Sequence, residues 1–512
     1  MAHGKPGKVY LVGAGPGDPS LLTLRGAQVL GRADVVVHDA LVPTALLIRH
    51  APPQAESIPA RPTPPAPPRS QEDINRLLIE HARAGRTVVR LKGGDPCLFG
   101  RGGEEAEELA DAGIPFEIVP GVSSFLAAPA SAGIPVTHRE YASAVTVVTG
   151  HEDPGKPGSM VDWGAVARAH GTKVILMGLE RLPAIVEALV AGGLPPTTPV
   201  AVIRWGTTAR QQTVTGSLAD IAEKVRTVGL AAPALAVVGE VVRLRDHLNW
   251  FEKRPLFGRR IVVTRRREQA ADLTARLEEL GAEVLEIPAI AIQAPTARQP
   301  VVEALAGLGE YDWIVFSSPN GVSAFFGALL AAYDDIRTLG RARLAAVGPA
   351  TVARLRDFHV RADAVPSEFL GRHLAAAIAE QESLDNLRIL LARAQVANPD
   401  VCRELEKHGA IVDDVAFYET LAAPASPSDP HARWLEEGVD WITFTSASTV
   451  EHFHKRFPLT ALLARHPQLR LASIGPETSK AITALDLSPA AEARPHTLDG
   501  LVAALLASDP TR

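Results

Sequence analysis

The 512-residue sequence predicts an α/β fold with largely parallel sheets. Short β-branched runs alternate with Ala- and Leu-rich helical patterns along the whole chain, and turn residues follow each run. A weak internal repeat organises the second half.

The runs read as strands in order. The first half carries Val9–Val12, Val35–Val37, Val88–Leu91, Val145–Val148, Val174–Met177 and Ala201–Ile203. The second half carries Ile261–Thr264, Trp313–Ser317, Leu344–Val347, Ile389–Ala392, Trp441–Thr445 and Leu471–Ile474. A run ending in Phe316-Ser317-Ser318 is echoed by one ending in Phe444-Thr445-Ser446. Likewise Val347-Gly348-Pro349-Ala350-Thr351 is echoed by Ile474-Gly475-Pro476-Glu477-Thr478. Two similar α/β units explain the echo. Between Asn249 and Gly258 the pattern breaks, with Pro255 and Gly258 interrupting it before a strand opens at Ile261. So short a connection predicts two halves lying close together. The prolines of Pro59–Arg69 lack backbone donors and cannot join a helix or sheet interior, so the stretch reads as an extended surface loop.

Hydrophobic residues make up 46% and charged residues 21%, ordinary for a soluble globular protein. Cys97 and Cys402 are the only cysteines, which excludes a disulfide framework and a thiolate metal cluster and fits a cytoplasmic setting. The N-terminus leads into Val9–Val12 without the apolar core or cleavage region of a secretory signal. No apolar stretch reaches the roughly 20 residues of a membrane helix. A net charge of −6 with scattered Lys and Arg argues against nucleic acid as a partner. It leaves room for a polyanionic small substrate, because a few local arginines suffice to hold carboxylates.

The first strand runs into Gly13-Ala14-Gly15-Pro16-Gly17-Asp18-Pro19, where glycines let the backbone approach a ligand closely. Asp39 lies about 24 residues past Gly15, near the ribose-binding distance of a dinucleotide fold. Pro16 and Pro19 spoil that turn, and its third glycine is absent. Four further motifs follow: Arg90-Leu91-Lys92-Gly93-Gly94-Asp95-Pro96 continuing through Leu98-Phe99-Gly100-Arg101-Gly102-Gly103-Glu104-Glu105; Pro120-Gly121-Val122-Ser123-Ser124; Gly133-Ile134-Pro135-Val136-Thr137-His138-Arg139; and Leu176-Met177-Gly178-Leu179.

Together these resemble the tetrapyrrole methylase superfamily, and within it the uroporphyrinogen III C-methyltransferases, over about residues 8–250. The resemblance implies a two-lobed α/β fold with S-adenosylmethionine folded in the cleft between the lobes. The family's cofactor contacts fall on Pro16, Gly93, Gly94, Asp95, Leu98, Ser123, Ser124, Met177 and Gly206. It further implies transfer of two methyl groups to carbons 2 and 7 of uroporphyrinogen III, giving precorrin-2. The nucleophile is an electron-rich pyrrole carbon, so alignment with the sulfonium methyl matters more than activation. Asp39, in His38-Asp39-Ala40-Leu41-Val42, matches the base that removes the displaced proton. Taken alone, an aspartate there reads as a turn or helix cap, and Met177 as core. Arg90, Lys92, Arg101, His138 and Arg139 are candidates to hold the eight substrate carboxylates, although each alone reads as a solvated charge or structural pair. In place of the family's Gly-Lys-x-x-Gly-x-His segment stands the proline-rich stretch. Arg61 falls at the lysine's place, and an arginine binds carboxylates but is a poor proton donor. Gln71 and Asn75 beyond it match the family.

The second half resembles the uroporphyrinogen III synthases. The motifs are Ile261-Val262-Val263-Thr264-Arg265 with Gln269, Phe316-Ser317-Ser318-Pro319-Asn320-Gly321-Val322, the two Gly-Pro segments of the repeat, Gly409-Ala410, Phe417-Tyr418-Glu419-Thr420 and Phe444-Thr445-Ser446-Ala447-Ser448-Thr449. A two-domain α/β fold is implied, with residues 259–292 plus 423–512 in one domain and 295–420 in the other, after a methyltransferase of 1–250 and a linker of 251–258. The cleft would fold linear hydroxymethylbilane, which loses its hydroxyl and closes with inversion of the last pyrrole. No nucleophile–base set, paired carboxylate or metal set is evident in this half, and that chemistry requires none. Helix-start amides after Gly348-Pro349 and Gly475-Pro476 suit carboxylates. Thr264, Ser317, Ser318, Thr445, Ser446 and Thr478 are hydroxyl donors or, equally, helix caps. Tyr418 matches the tyrosine that assists hydroxyl departure, and Arg265 and Arg393 are carboxylate partners.

The family further implies a homodimer through the methyltransferase half. Two other readings compete: methylation of a different substrate, such as a later corrin precursor, a modified protein histidine or ribosomal RNA, and a methylase-like lobe that only binds tetrapyrrole.

Overall fold

The computed structural model describes residues 7–61, 69–152, 154, 159–265, 267–366, 373–397, 399–422 and 430–509. Their strands form four five-stranded sheets.

The first sheet contains β1 (Val9–Gly13), β2 (Val35–His38), β3 (Glu56–Pro59), β4 (Val88–Lys92) and β5 (Phe116–Val119), all parallel in the order β3-β2-β4-β1-β5. Alternation sends Val35, Val37 and Val88 to one core and Val36, Val89 and Leu91 to the other. Burial on both faces is why the runs Val9–Val12 and Val35–Val37 read as unbroken apolar stretches, whereas the edge strands β3 and β5 are partly exposed and did not. Arg90 and Lys92 share the face of Val88 and are buried there.

The second sheet departs from the parallel expectation. It contains β6 (Val145–Thr149), β7 (Thr172–Leu176), β8 (Pro199–Arg204), β9 (Gln212–Ser217) and β10 (Ala234–Val238), in the order β6-β7-β10-β8-β9. Only β6 and β7 run parallel. Because β7 and β8 both run against β10, their C-terminal ends lie on one side of the sheet.

The remaining strands are β11 (Arg260–Val263), β12 (Glu283–Glu286), β13 (Ile290–Gln293), β14 (Trp313–Phe316), β15 (Arg343–Ala346), β16 (Arg388–Ala394), β17 (Ile411–Ala422), β18 (Trp441–Phe444), β19 (Arg470–Ser473) and β20 (Ala491–Glu492). The third sheet is β12-β11-β18-β19-β20 and the fourth β13-β17-β16-β14-β15. Strand β13, whose residues 290–292 were expected in the domain of 259–292 plus 423–512, pairs antiparallel with β17 in the fourth sheet. The repeat is a repeat of local structure: β14 and β18 each lead to a helix capped by a serine, Ser318 before Pro319–Tyr333 and Ser446 before Ala447–Arg456. β15 and β19 each lead through Gly-Pro to a helix, Pro349–Asp357 and Pro476–Thr483, with proline in the first turn.

The proline-rich loop also needs correction. Pro59 ends β3, Ala60 is buried, and the Ala60 amide donates to the His38 carbonyl at 2.8 Å, so Pro59 and Ala60 belong to the sheet and not to a surface loop. Residues 62–68 lie outside the described residues. Among the described residues no helix is long and apolar enough to cross a membrane.

The two cysteines differ. Cys97 is exposed, whereas Cys402 is half-buried and burial pushes its thiol up to about 11. At about pH 8 a thiol reagent should therefore titrate one fast group, lost in Cys97→Ser, and one slow group. Equal rates for both would contradict this placement.

Candidate active sites

Asp39 follows β2 directly and extends its pairing, its amide donating to the Leu91 carbonyl at 3.0 Å. Its carboxylate Oδ1 accepts from Arg90 Nη2 at 2.5 Å. Arg90 also donates from Nε to Glu105 Oε1 at 3.1 Å, and Lys92 Nζ reaches the same oxygen at 2.8 Å. Gln71 Nε2 completes the set at 3.1 Å, and Glu105 itself is fully buried. Two cations and two carboxylates thus form a chain that begins in the core and emerges at Asp39, whose side chain is 34% exposed against 3% for Arg90. Arg90 and Lys92 are therefore not free to line the cleft for substrate. Alternation placed them on the inward face, where Glu105 pairs with both and Asp39 with Arg90. Burial first, then the neighbouring Arg90 charge, holds the Lys92 ammonium below the usual lysine range.

The ends of β1 and β4 interlock. The Gly94 amide donates to Gly15 O at 2.7 Å and the Gly15 amide to Gly94 O at 3.2 Å. A Cβ on Gly121 would lie 2.2 Å from Gly94 O, and one on Gly13 would lie 2.5 Å from the Gly121 Cα. Asp95 holds the neighbouring loop, its Oδ2 accepting from the Gly121 amide at 3.0 Å and its Oδ1 from the Cys97 amide at 2.8 Å. Both of its oxygens thus already serve the loops. Ser123 and the first residue of the helix Ser124–Ser131 stand beside Gly94, whose missing Cβ would sit 3.9 Å from both. Leu98 is half-buried in the same loop.

The second lobe meets this cradle through the segment after β8. A Cβ on Gly206 would lie 2.3 Å from that of Ala128 in the helix Ser124–Ser131. The Asp18 amide, two residues past Pro16, donates to Thr207 Oγ1 at 3.1 Å. Met177 follows β7 at the same end of the second sheet, with φ +56° and 50% exposure. An exposed methionine in a left-handed backbone is not a core residue, so the packing reading of Met177 does not hold.

The remaining candidates of this half are looser. Arg61 is exposed just past β3, beside the end of β2 that carries His38 and Asp39. Arg101 is exposed and paired with Glu104 at Nε–Oε2 2.8 Å. His138 and Arg139 sit in a turn closed by the His138–Ala142 backbone pair, with the His138 ring 5.0 Å from that of Tyr141.

In the second half Tyr418 is buried on β17, and its hydroxyl lies 3.0 Å from Ser318 Oγ, the cap that also accepts from the Gly321 amide. Gln269 Nε2, on the helix Arg267–Glu279, reaches Asn320 Oδ1 at 3.4 Å and so bridges the units built on the third and fourth sheets. The sequence named both residues without showing that they meet. Ser317, Thr445 and Ser446 are half-buried at strand ends, as is Arg265, whose guanidinium burial drives below its usual range.

Three expected donors are occupied or enclosed. Thr264 is fully buried and donates to the Thr443 carbonyl at 2.8 Å, tying β11 to β18. Arg393 forms a two-pronged ion pair with Asp414 across β16 and β17. Thr478 is buried in the first turn of Pro476–Thr483. By contrast, no side chain caps the helices that start after Gly348 and Gly475, so their first amides suit an anionic ligand.

Comparison with known proteins covers both halves. Residues 8–222 match the family of tetrapyrrole (corrin/porphyrin) methylases and residues 271–503 the uroporphyrinogen-III synthase family. A porphyrin biosynthesis protein HemD of Ruminiclostridium josui is 37% identical over 509 residues, 99% of this chain and 98% of that one. A uroporphyrinogen-III C-methyltransferase of Bacillus subtilis is 43% identical, covering 65% of this chain and 68% of its own. An S-adenosyl-L-methionine-dependent uroporphyrinogen III methyltransferase of Methanosarcina barkeri is 50% identical over 48% of this chain and 96% of its own. This chain belongs to the family of porphyrin-biosynthesis proteins in which a tetrapyrrole methylase and a uroporphyrinogen-III synthase are joined in one polypeptide.

Proposed function

We propose that the second half cyclises hydroxymethylbilane to uroporphyrinogen III and that the first half methylates this product twice, giving precorrin-2. The observation that carries the methylase reading is Asp39 emerging from a buried ion-pair chain beside the glycine cradle.

The cradle fits S-adenosylmethionine. Gly94 leaves open the space a Cβ would take in front of Ser123 and Ser124, and exposed Met177 and half-buried Leu98 offer apolar surface for an adenine. When bound, the cofactor supplies an electrophilic methyl on sulfur. Pro16, Gly93, Gly94, Ser123, Ser124 and Gly206 shape the pocket, and Asp95 holds its loops closed. Asp39 takes the proton from the methylated ring, with Arg90 fixing the carboxylate that receives it. Arg61, Arg101, His138 and Arg139 pair with substrate carboxylates, Arg61 as a cation and not a proton donor.

In the second site Tyr418, oriented by Ser318, donates to the departing hydroxyl of hydroxymethylbilane. The first-turn amides after Gly348 and Gly475, which no side chain caps, face substrate carboxylates, with Arg265, Ser317, Thr445 and Ser446 around them. Tyr418→Phe should lower cyclisation by about tenfold, the loss of one assisting hydroxyl. Anaerobic turnover read by isomer separation checks this; a larger share of the uncatalysed type I isomer is expected, and an unchanged rate would remove Tyr418 from the chemistry.

The reading as a whole is tested by one anaerobic incubation with hydroxymethylbilane and S-adenosylmethionine. A dimethylated type III product supports both steps. Unmethylated type III product would leave a cyclase joined to a binding lobe.

A further inference from the structure

The synthase half touches both lobes of the methylase. From the first lobe, the helix Thr44–His50, which begins five residues after Asp39, packs Ala45 and Ile48 against the core of the third sheet. On the same helix Arg49 makes a two-pronged ion pair with Glu278, at the end of the helix Arg267–Glu279. From the second lobe, the segment carrying Gly206 continues to Arg210. Its guanidinium lies 3.6 Å from Glu283 and 3.8 Å from Glu437, and 4.7 Å from the ring of Trp205.

Glu278 and Glu283 flank one tight corner. The helix ends at Glu279, β12 opens at Glu283, and Thr274 Oγ1 ties the helix to Glu286 at 2.9 Å. The linker reaches the same corner: Arg254 Nη1 donates to Glu278 O at 3.1 Å, and the Leu256 amide donates to Leu280 O at 2.8 Å.

We propose that the synthase half is a strut for the methylase cleft. By holding Arg49 of the first lobe and Arg210 of the second on one rigid corner, it fixes the separation of the lobes and so the shape of the cofactor site between them. Arg49 and Arg210 are thus positioning residues for methyl transfer that touch neither cofactor nor substrate. The proposal rests on the reading of that cleft as the S-adenosylmethionine site. It also gives the fusion a role beyond proximity: the partner enzyme braces the methylase.

The test uses the full chain with Arg49→Gln, Arg210→Gln, the double variant and the charge exchange R49E/E278R. S-adenosylhomocysteine affinity is measured by calorimetry, with methylation and cyclisation rates on the same samples. Each single change should weaken S-adenosylhomocysteine binding by about threefold to fivefold, in keeping with partly exposed ion pairs. The double variant should lose about tenfold or more while cyclising normally. The charge exchange should recover most of the affinity lost in Arg49→Gln. A double variant that binds as tightly as wild type overturns the strut, as does an exchange variant no better than Arg49→Gln. Wild-type protein that binds no S-adenosylhomocysteine would instead sink the reading of the cleft itself, and the strut with it.

Discussion

Asp39→Asn is expected to stop methyl transfer, lowering it by about a hundredfold to ten-thousandfold, while cyclisation continues unchanged. The amide keeps the shape of the side chain and still offers its oxygen to Arg90 Nη2, so geometry should survive. What disappears is the ability to accept a proton from the methylated ring. Asp39→Ala should lose as much and no more, because positioning without basicity is of little use in that step. Neither change should unfold the lobe, since Arg90 retains Glu105 as a counter-ion. Mass analysis of the anaerobic product counts methyl groups directly, and isomer analysis reports the cyclase as an internal control. An Asp39→Asn protein that methylates at the wild-type rate would move the base elsewhere, with the half-buried His38 the next group to examine.

Glu105→Ala is expected to be the most destabilising single change in the first half, costing about 3–5 kcal/mol. Glu105 has no exposed surface, and one of its oxygens serves Arg90, Lys92 and Gln71 together. Without it, two buried cations would face only the partly exposed Asp39. Lys92 can escape by shedding its proton, since burial already depresses its pKa below 10.5. The sign then follows. Glu105 raises the Lys92 pKa, so its removal depresses that pKa further; between the variant's folded pKa and the higher wild-type one only the variant sheds this proton on folding, and its deficit should shrink as pH rises through that interval. Denaturant unfolding of the first half at several pH values measures both effects. A loss under about 1 kcal/mol, independent of pH, would mean that water reaches the cluster and the charges are not truly buried.

Much of this molecule was legible in its sequence. Runs such as Val35–Val37 and Val88–Leu91 are strands because β-branched residues suit a sheet covered on both faces, and that preference is local. The serine and Gly-Pro punctuation after β14, β15, β18 and β19 marked helix starts, because a cap and a first-turn proline act within a few residues. The crowded Gly13 and Gly121 were visible as motif glycines, since only a residue without Cβ allows such close backbone approach.

Tertiary structure decided the rest, wherever the deciding partner is distant in the chain. The second sheet turned out mixed because strand direction depends on which strand lies alongside, and β10 inserts between β7 and β8 without any local sign. Arg90 and Lys92 looked like cleft cations until Glu105 was found between them in the core. Thr264, Arg393 and Thr478 looked like donors until the Thr443 carbonyl, Asp414 and burial took them up. Two enzyme families were already readable in the order of the motifs. What folding alone settles is that the end of a synthase-half helix meets the methylase half, because ion pairs such as Arg49–Glu278 join surfaces that local patterning does not relate.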